Sequence, residues 1–200
     1  MSARIRSLGL RADTGQSLLE FALTLPMLLI VVFGVIDISA ELLDDHIVTR
    51  LSREGSNMIS RDTSLQDATT AMKLMKSGAV NFDNGTSKLI LSVFKKVATT
   101  GAANYNKVVL YQRTEYGTLS NKSALKTAAT GSFGGPPDYV AANSDDDPSL
   151  VAINFPPNLL VTGGDVVYVA EVYSTHTFMT PLQTLLSKVF PTTLYSVAYF

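Results

Sequence analysis

The feature that most constrains this chain is one uninterrupted apolar run, Phe21–Ile36, with a carboxylate, Glu20, at its mouth. As a helix the run covers about 24 Å, short of the ~30 Å hydrocarbon core of a bilayer. Leu18, Leu19 and Ile38 must therefore extend it, which places a span at about residues 18–40. A charge facing hydrocarbon costs on the order of 2–4 kcal/mol, so Glu20 calls for a partner or a function. Arg4, Arg6 and Arg11 precede the run, and Leu18–Ala40 holds only Glu20 and Asp37 as charges. By the positive-inside rule the N-terminus then lies in the cytoplasm and everything after the run outside it, an N-in, C-out membrane protein. A secretory signal peptide has the same outline, with Ile38-Ser39-Ala40 as a poor small-residue cleavage site. Asp37 is read as a solvated charge that ends the span.

The chain has 200 residues, room for one span and a domain of about 140 residues with its own core. Three units are expected: a cytoplasmic leader at 1–15, a long helix at 16–60 and an extracytoplasmic head at 61–200. Without cysteine there are no disulfides, thiolate metal sites or thiol catalysis, so packing alone holds the fold. Formal net charge is −1, and beyond residue 15 there are 13 basic and 16 acidic side chains, no basic field for nucleic acid. His46 and His176 stand 130 residues apart, without metal-ligand spacing. No phosphate loop, nucleophile elbow or dinucleotide fingerprint is visible. The reading is of a protein that is not an enzyme and uses no cofactor or metal.

Beyond the run, Leu43, Ile47, Leu51, Met58 and Ile59 keep a spacing near 3.6, which carries one helix to about Ser60. Residues 17–60 would then form a rod of about 66 Å, its first half in membrane and its second under a head. Gly55 permits close approach of another element at a cost of about 1 kcal/mol in helix propensity. Ser64-x-x-Asp67 opens a second helix with Leu65, Ala68, Met72 and Met75 on one stripe. Strands are expected at Lys88–Lys96, Val108–Tyr116, Asp165–Thr175 and Thr192–Phe200. No βαβ pattern connects them, so an antiparallel sheet of about four strands packed on the helices, an α+β fold, is the expectation. The connection Gly117–Gly164 reads as an exposed loop, with the short apolar piece Asn158–Thr162 leading into the third strand. Asp145–Asp147 reads as a solvated turn; calcium is the alternative, but the alternating spacing of a calcium loop is missing.

Gly15-Gln16-Ser17-Leu18-Leu19-Glu20-Phe21 sits at the junction of the basic leader and the apolar run, and its Gly-x4-Glu spacing resembles a type IV prepilin processing site. The resemblance extends through Ala22-Leu23-Thr24-Leu25-Pro26-Met27-Leu28-Leu29, Phe33-Gly34, Asp37 and Arg53-Glu54-Gly55, and is to the TadE-like family of the tight-adherence (Flp) pilus system. It is strong over about 45 residues and diffuse beyond them. It implies a pseudopilin or minor pilin of the bacterial inner membrane, with a pilin-like architecture. A prepilin peptidase would cleave it after Gly15 on the cytoplasmic face, making Gln16 the new N-terminus. Its partners would be that peptidase, pilin and pseudopilin subunits and the inner-membrane pilus assembly machinery, and its role surface attachment.

Physical arguments give these positions roles. Gly15 lets a peptidase approach the backbone closely. Glu20, four residues after Gln16, lies within reach of the amine that cleavage would create, in one helix or between neighbours. Cyclisation of an N-terminal Gln16 would remove that amine. Phe21 begins the packing surface. Pro26 removes a backbone donor and crowds the carbonyl of Ala22, which either bends the helix or is tolerated among packed neighbours. A membrane-anchored binding module that never polymerises and a secreted protein are the competing readings.

Overall fold

The computed structural model describes residues 13–160 and 162–200. The leader arginines, Arg4, Arg6 and Arg11, and Val161 in the Asn158–Thr162 piece lie outside the described residues.

Helix α1, Asp13–Ile59, runs 47 residues without interruption through Pro26, about 70 Å at 1.5 Å per residue. It starts ahead of Gly15 rather than at Gln16. The helix is long and apolar enough to cross a membrane and fits a membrane anchor. Its two halves differ in what they bury. From Leu18 to Ile36 almost every large apolar side chain is exposed, whereas Val48, Leu51, Ser52, Gly55, Ser56 and Ile59 are buried against the head. Leu51 and Ile59 take the core positions their spacing predicts, and Ile47 and Met58 pack at its margin. Leu43 is exposed. At its level α1 meets the head through Asp44, on another face of the helix.

Helix α2, Leu65–Leu74, is capped as the sequence indicates: the Ser64 hydroxyl accepts from Asp67 N at 3.1 Å and donates to the Asp67 carboxylate at 2.8 Å. Four strands, β1 (Ser87–Lys96), β2 (Val108–Tyr116), β3 (Val166–Thr175) and β4 (Thr193–Tyr199), form one antiparallel sheet in the order β2-β1-β3-β4. The fold is therefore α+β, with boundaries within a residue of the expected strands.

Side chains alternate across the pleat, so each strand feeds two faces. One face carries Leu89, Leu91, Ala170 and Val172 into a core with Val48, Leu51, Met72 and Ile59 of the helices. Small residues on α1 allow this approach. The Gly55 Cα sits where a Cβ would be 3.0 Å from Ala170 Cβ and 3.4 Å from Met72 Cε, and the Ser52 and Ser196 hydroxyls pair at 2.9 Å.

The other face is covered by the Gly117–Gly164 connection, contrary to its reading as an exposed loop. Leu125, Ala141, Leu150 and Leu160 are buried there with Phe94, Leu110 and Val169, and Phe155 lies against Phe94 with ring centroids 4.9 Å apart. The reason is that β1 and β3 are apolar on both faces; their second face demands a cover, and this segment supplies it with little regular structure beyond a 3-10 turn at Pro148–Leu150. The aspartates of this segment do form a turn, with Asp146 exposed, but their carboxylates are tied into the head rather than left to solvent alone. Asp145 bridges Lys95 Nζ at 2.7 Å and accepts from the Thr99 hydroxyl at 2.9 Å, contacts that hold its carboxyl below the ordinary range. Asp146 accepts from Ala103 N at 3.0 Å, and Asp147 caps the 3-10 turn through Ser149 N at 2.8 Å.

Under the same cover Glu171, fully buried on β3, accepts from Ala124 N at 2.8 Å, the Tyr195 hydroxyl at 3.0 Å and the Ser123 hydroxyl. Tyr173 and Tyr195 stack at 4.6 Å. Burial, then the Glu171 charge, pushes the Tyr173 phenol up to about 12 and the Tyr195 phenol higher still.

Two outcomes follow from this packing. Gly55→Leu drives a side chain into Ala170 and Met72 and should destabilise the head by about 1–3 kcal/mol in urea unfolding of the full chain in detergent. The raised tyrosines keep their protons in the folded state while those of the unfolded chain ionise near pH 10. Head stability should thus be whole below about pH 10 and fall as pH rises toward about 12, with Tyr195→Phe flattening the dependence in unfolding curves taken across that range.

Candidate functional site

The sequence points to the start of α1, and the structure places those residues along one exposed helical segment. Gly15 lies within the first turns of the helix, with nothing within 4 Å of where a Cβ would stand. The Gln16 side-chain amide donates to Glu20 Oε1 at 3.0 Å, so the carboxylate has a partner four residues back. Thr24, two residues before Pro26, donates its hydroxyl to the carbonyls of Glu20 and Phe21 at 3.0 and 3.2 Å. Phe21 is exposed, and the space beside Gly34 is open. Chemically this is a surface for lipid or for another apolar helix, with one carboxylate at its end.

The far end of the run holds contacts that sequence reasoning missed. Asp37 is fully buried, not a solvated end to the span. Its Oδ1 accepts from the backbone N–H groups of Met179 and Thr180 at 2.9 and 3.2 Å, and its Oδ2 from the Thr180 hydroxyl. Burying a carboxylate is costly unless donors replace its water, and here the β3–β4 connection supplies three. About 10 Å further along α1, at a rise of 1.5 Å per residue, Asp44 accepts from Nδ1 of the buried His176 at 2.8 Å and from Ala79 N at 3.3 Å. His176 stands edge-on to Phe178, and its Nε2 is buried without a partner among the described residues. Gly78 adopts φ +58°, and a Cβ there would lie 2.8 Å from Ile47 Cδ1, so a side chain at this turn would be strained where it approaches α1.

The signal for this clasp was present but indirect. Residues 177–191, TFMTPLQTLLSKVFP, carry a single charge, Lys188, in a chain otherwise rich in polar connections. Their partners are more than 130 residues away on α1, which local patterns do not encode.

The head also has a cleft of about 710 Å³ lined by Lys88, Arg113, Lys122 and Lys126 with Glu115. Lys88 is engaged by Glu115 at 2.7 Å. Arg113 donates through Nε to Ser92 and through Nη2 to Ser123 and Leu125 O. Burial lowers the Arg113 pKa from its ordinary value, opposed by Glu171 and Glu115.

Fold and site together define an α+β protein on a long helix whose apolar half is left uncovered by its own head and fits a membrane anchor. Residues 15–57 match the model of the family described as TadE-like protein, so the rod from the glycine to the head-packing stripe is a TadE-like segment. The family connects it with Tad pilus systems. No curated protein and no solved structure matches the chain.

If the Asp37 carboxylate holds the β3–β4 connection on the rod, Asp37→Ala leaves two amides unpaired at a local cost of about 1–3 kcal/mol. Hydrogen exchange followed by mass spectrometry should show faster exchange across residues 177–191 with β1 and β3 unchanged.

Proposed function

We propose that this protein is a pseudopilin or minor pilin of a tight-adherence (Flp) pilus, inserted N-in and C-out in the bacterial inner membrane and cleaved after Gly15 by a prepilin peptidase. The observation that carries the reading is the uncovered half of α1 within the family match: Leu18–Ile36 is exposed beside a head whose sheet is packed on both faces. Such a surface must be covered by lipid before assembly and by neighbouring helices after it. In this reading Gly15 is the scissile position and Phe21–Ile36 the packing surface, with the open space at Gly34 admitting a close neighbour. The Gln16 amide now on Glu20 gives way to the Gln16 amine, of the same or an adjacent subunit. The machinery that inserts and polymerises the subunit, and the pilins beside it, are the partners, and attachment to surfaces the outcome.

A second reading, a membrane-anchored module whose head takes an anionic ligand, is favoured by the cationic cleft at Arg113, Lys122 and Lys126. One experiment separates the two.

Intact mass of the purified protein, from cells with and without the prepilin peptidase, should give an N-terminus at Gln16 only when the peptidase is present. An N-terminus at Met1 or Ser2 in both strains removes the pseudopilin reading and favours the anchored module. Gly15→Val should block processing altogether, and Glu20→Ala should leave membrane insertion intact while reducing pili counted by electron microscopy.

A further inference from the structure

We propose that the β3–β4 connection, residues 177–191, is a membrane-seated collar that docks in the lipid interface of the leaflet on the head side. The proposal rests on the reading that the apolar half of α1 spans the membrane.

The segment leaves the sheet as a closed excursion: His176 N donates to Thr192 O at 2.9 Å, pinching its neck, and everything between projects beyond the strands. It projects toward the apolar run. His176 meets α1 at Asp44, and Met179 and Thr180 meet it at Asp37, about 10 Å nearer the run at 1.5 Å per residue. Asp37 directly follows Ile36, the last residue of that run. One turn deeper, on the same face of α1, Phe33 is partly covered while its neighbours Val32 and Val35 are exposed. The collar therefore sits where the helix would leave the hydrocarbon.

What it shows at that level is apolar. Met179 is 77% exposed, Leu185 64% and Val189 72%, on a segment whose sole charge is Lys188. Exposed apolar side chains concentrated on one short loop mark an interaction surface rather than ordinary solvent-facing structure. The occupant is lipid on two grounds. Met179 and Thr180 meet α1 at Asp37, the residue after the run, so the segment lies at the level where the span would end. Its backbone also suits a medium poor in hydrogen-bonding partners: Leu185 and Leu186 N–H donate to Leu182 O, Ser187 N–H to Gln183 O, and Val189 and Phe190 N–H to Leu186 O, all at 2.9 Å. Lys188 can extend its stem along the apolar surface and keep its ammonium among headgroup phosphates. The anchor then has two parts, a helix that spans and a loop that rests beside it, so the head is held against the bilayer in one orientation.

The absence of cysteine from the chain makes a direct test simple. Single cysteines at Val189, at Val31 within the run and at Thr100 on a head turn are labelled with a small environment-sensitive fluorophore. The full chain is placed one copy per disc in phosphatidylethanolamine/phosphatidylglycerol nanodiscs. Lipids carrying nitroxides near the headgroup should quench the Val189 probe severalfold more than the Thr100 probe, and aqueous iodide should quench it less. A Val189 probe that behaves like Thr100, while Val31 is quenched by deep nitroxides, overturns the collar and leaves the span standing. A Val31 probe that also behaves like Thr100 overturns both. Protection of Val189 that develops only when several chains share a disc assigns the patch to a neighbouring chain and overturns the lipid docking.

Discussion

The structure depends on the contact between the second half of α1 and the sheet. A single continuous helix has one half suited to lipid and one packed on the head, because its side-chain chemistry changes along its length without a break in its backbone. From Phe21 to Ile36 the helix is almost wholly apolar, suited to lipid; from Val48 to Ile59 it has a narrow buried stripe of which Ser52, Gly55 and Ser56 are small. Those small residues bring the helix axis close enough to β3 for Ala170 to sit beneath Gly55 and for Ser196 to meet Ser52. Larger side chains there would lift the rod off the sheet, and the clasp at Asp44 and Asp37 would lose its alignment.

The two charges of the clasp make sense in that setting. Asp37 and Asp44 lie on the head-facing side of α1, and each is met by donors from segments that reach outward from the sheet. Were Asp37 solvated at the end of a span, its only effect would be to stop the helix from sliding further into lipid. Buried beneath Met179 and Thr180, it also fixes how far the head stands from the apolar run.

Much of the fold was legible in the residues because its determinants are local. Strand boundaries follow from β-branched and aromatic runs between turn residues, the α2 cap from Ser64 and Asp67, and the length of α1 from a spacing of 3.6 that survives the change of medium. What failed was the environment of particular side chains whose partners are distant in sequence. Asp37 and His176 acquire their environments from residues more than 130 positions away, and Glu171 from a cover that has almost no regular structure. The cover itself could have been inferred. Leu89-Ile90-Leu91 and Val166-Val167-Tyr168-Val169-Ala170 are too continuously apolar for strands with one wet face, so a second layer was required, and Gly117–Gly164 was the one segment long enough to provide it. At the candidate site the order is reversed. Gly15, Gln16 and Glu20 stand out by their position between basic leader and apolar run, and the geometry adds the Gln16 amide as partner of Glu20.

The unbroken course of α1 has a mechanical consequence. With no hinge between the apolar half and the head-packing stripe, a pull along the rod reaches the sheet as shear, spread over the contacts from Val48 to Ile59 and the bonds at Asp37 and Asp44 all at once. Contacts loaded together in that way resist far more force than the same contacts peeled one after another. A head joined to its stem in this way stays attached when the stem is pulled along its length.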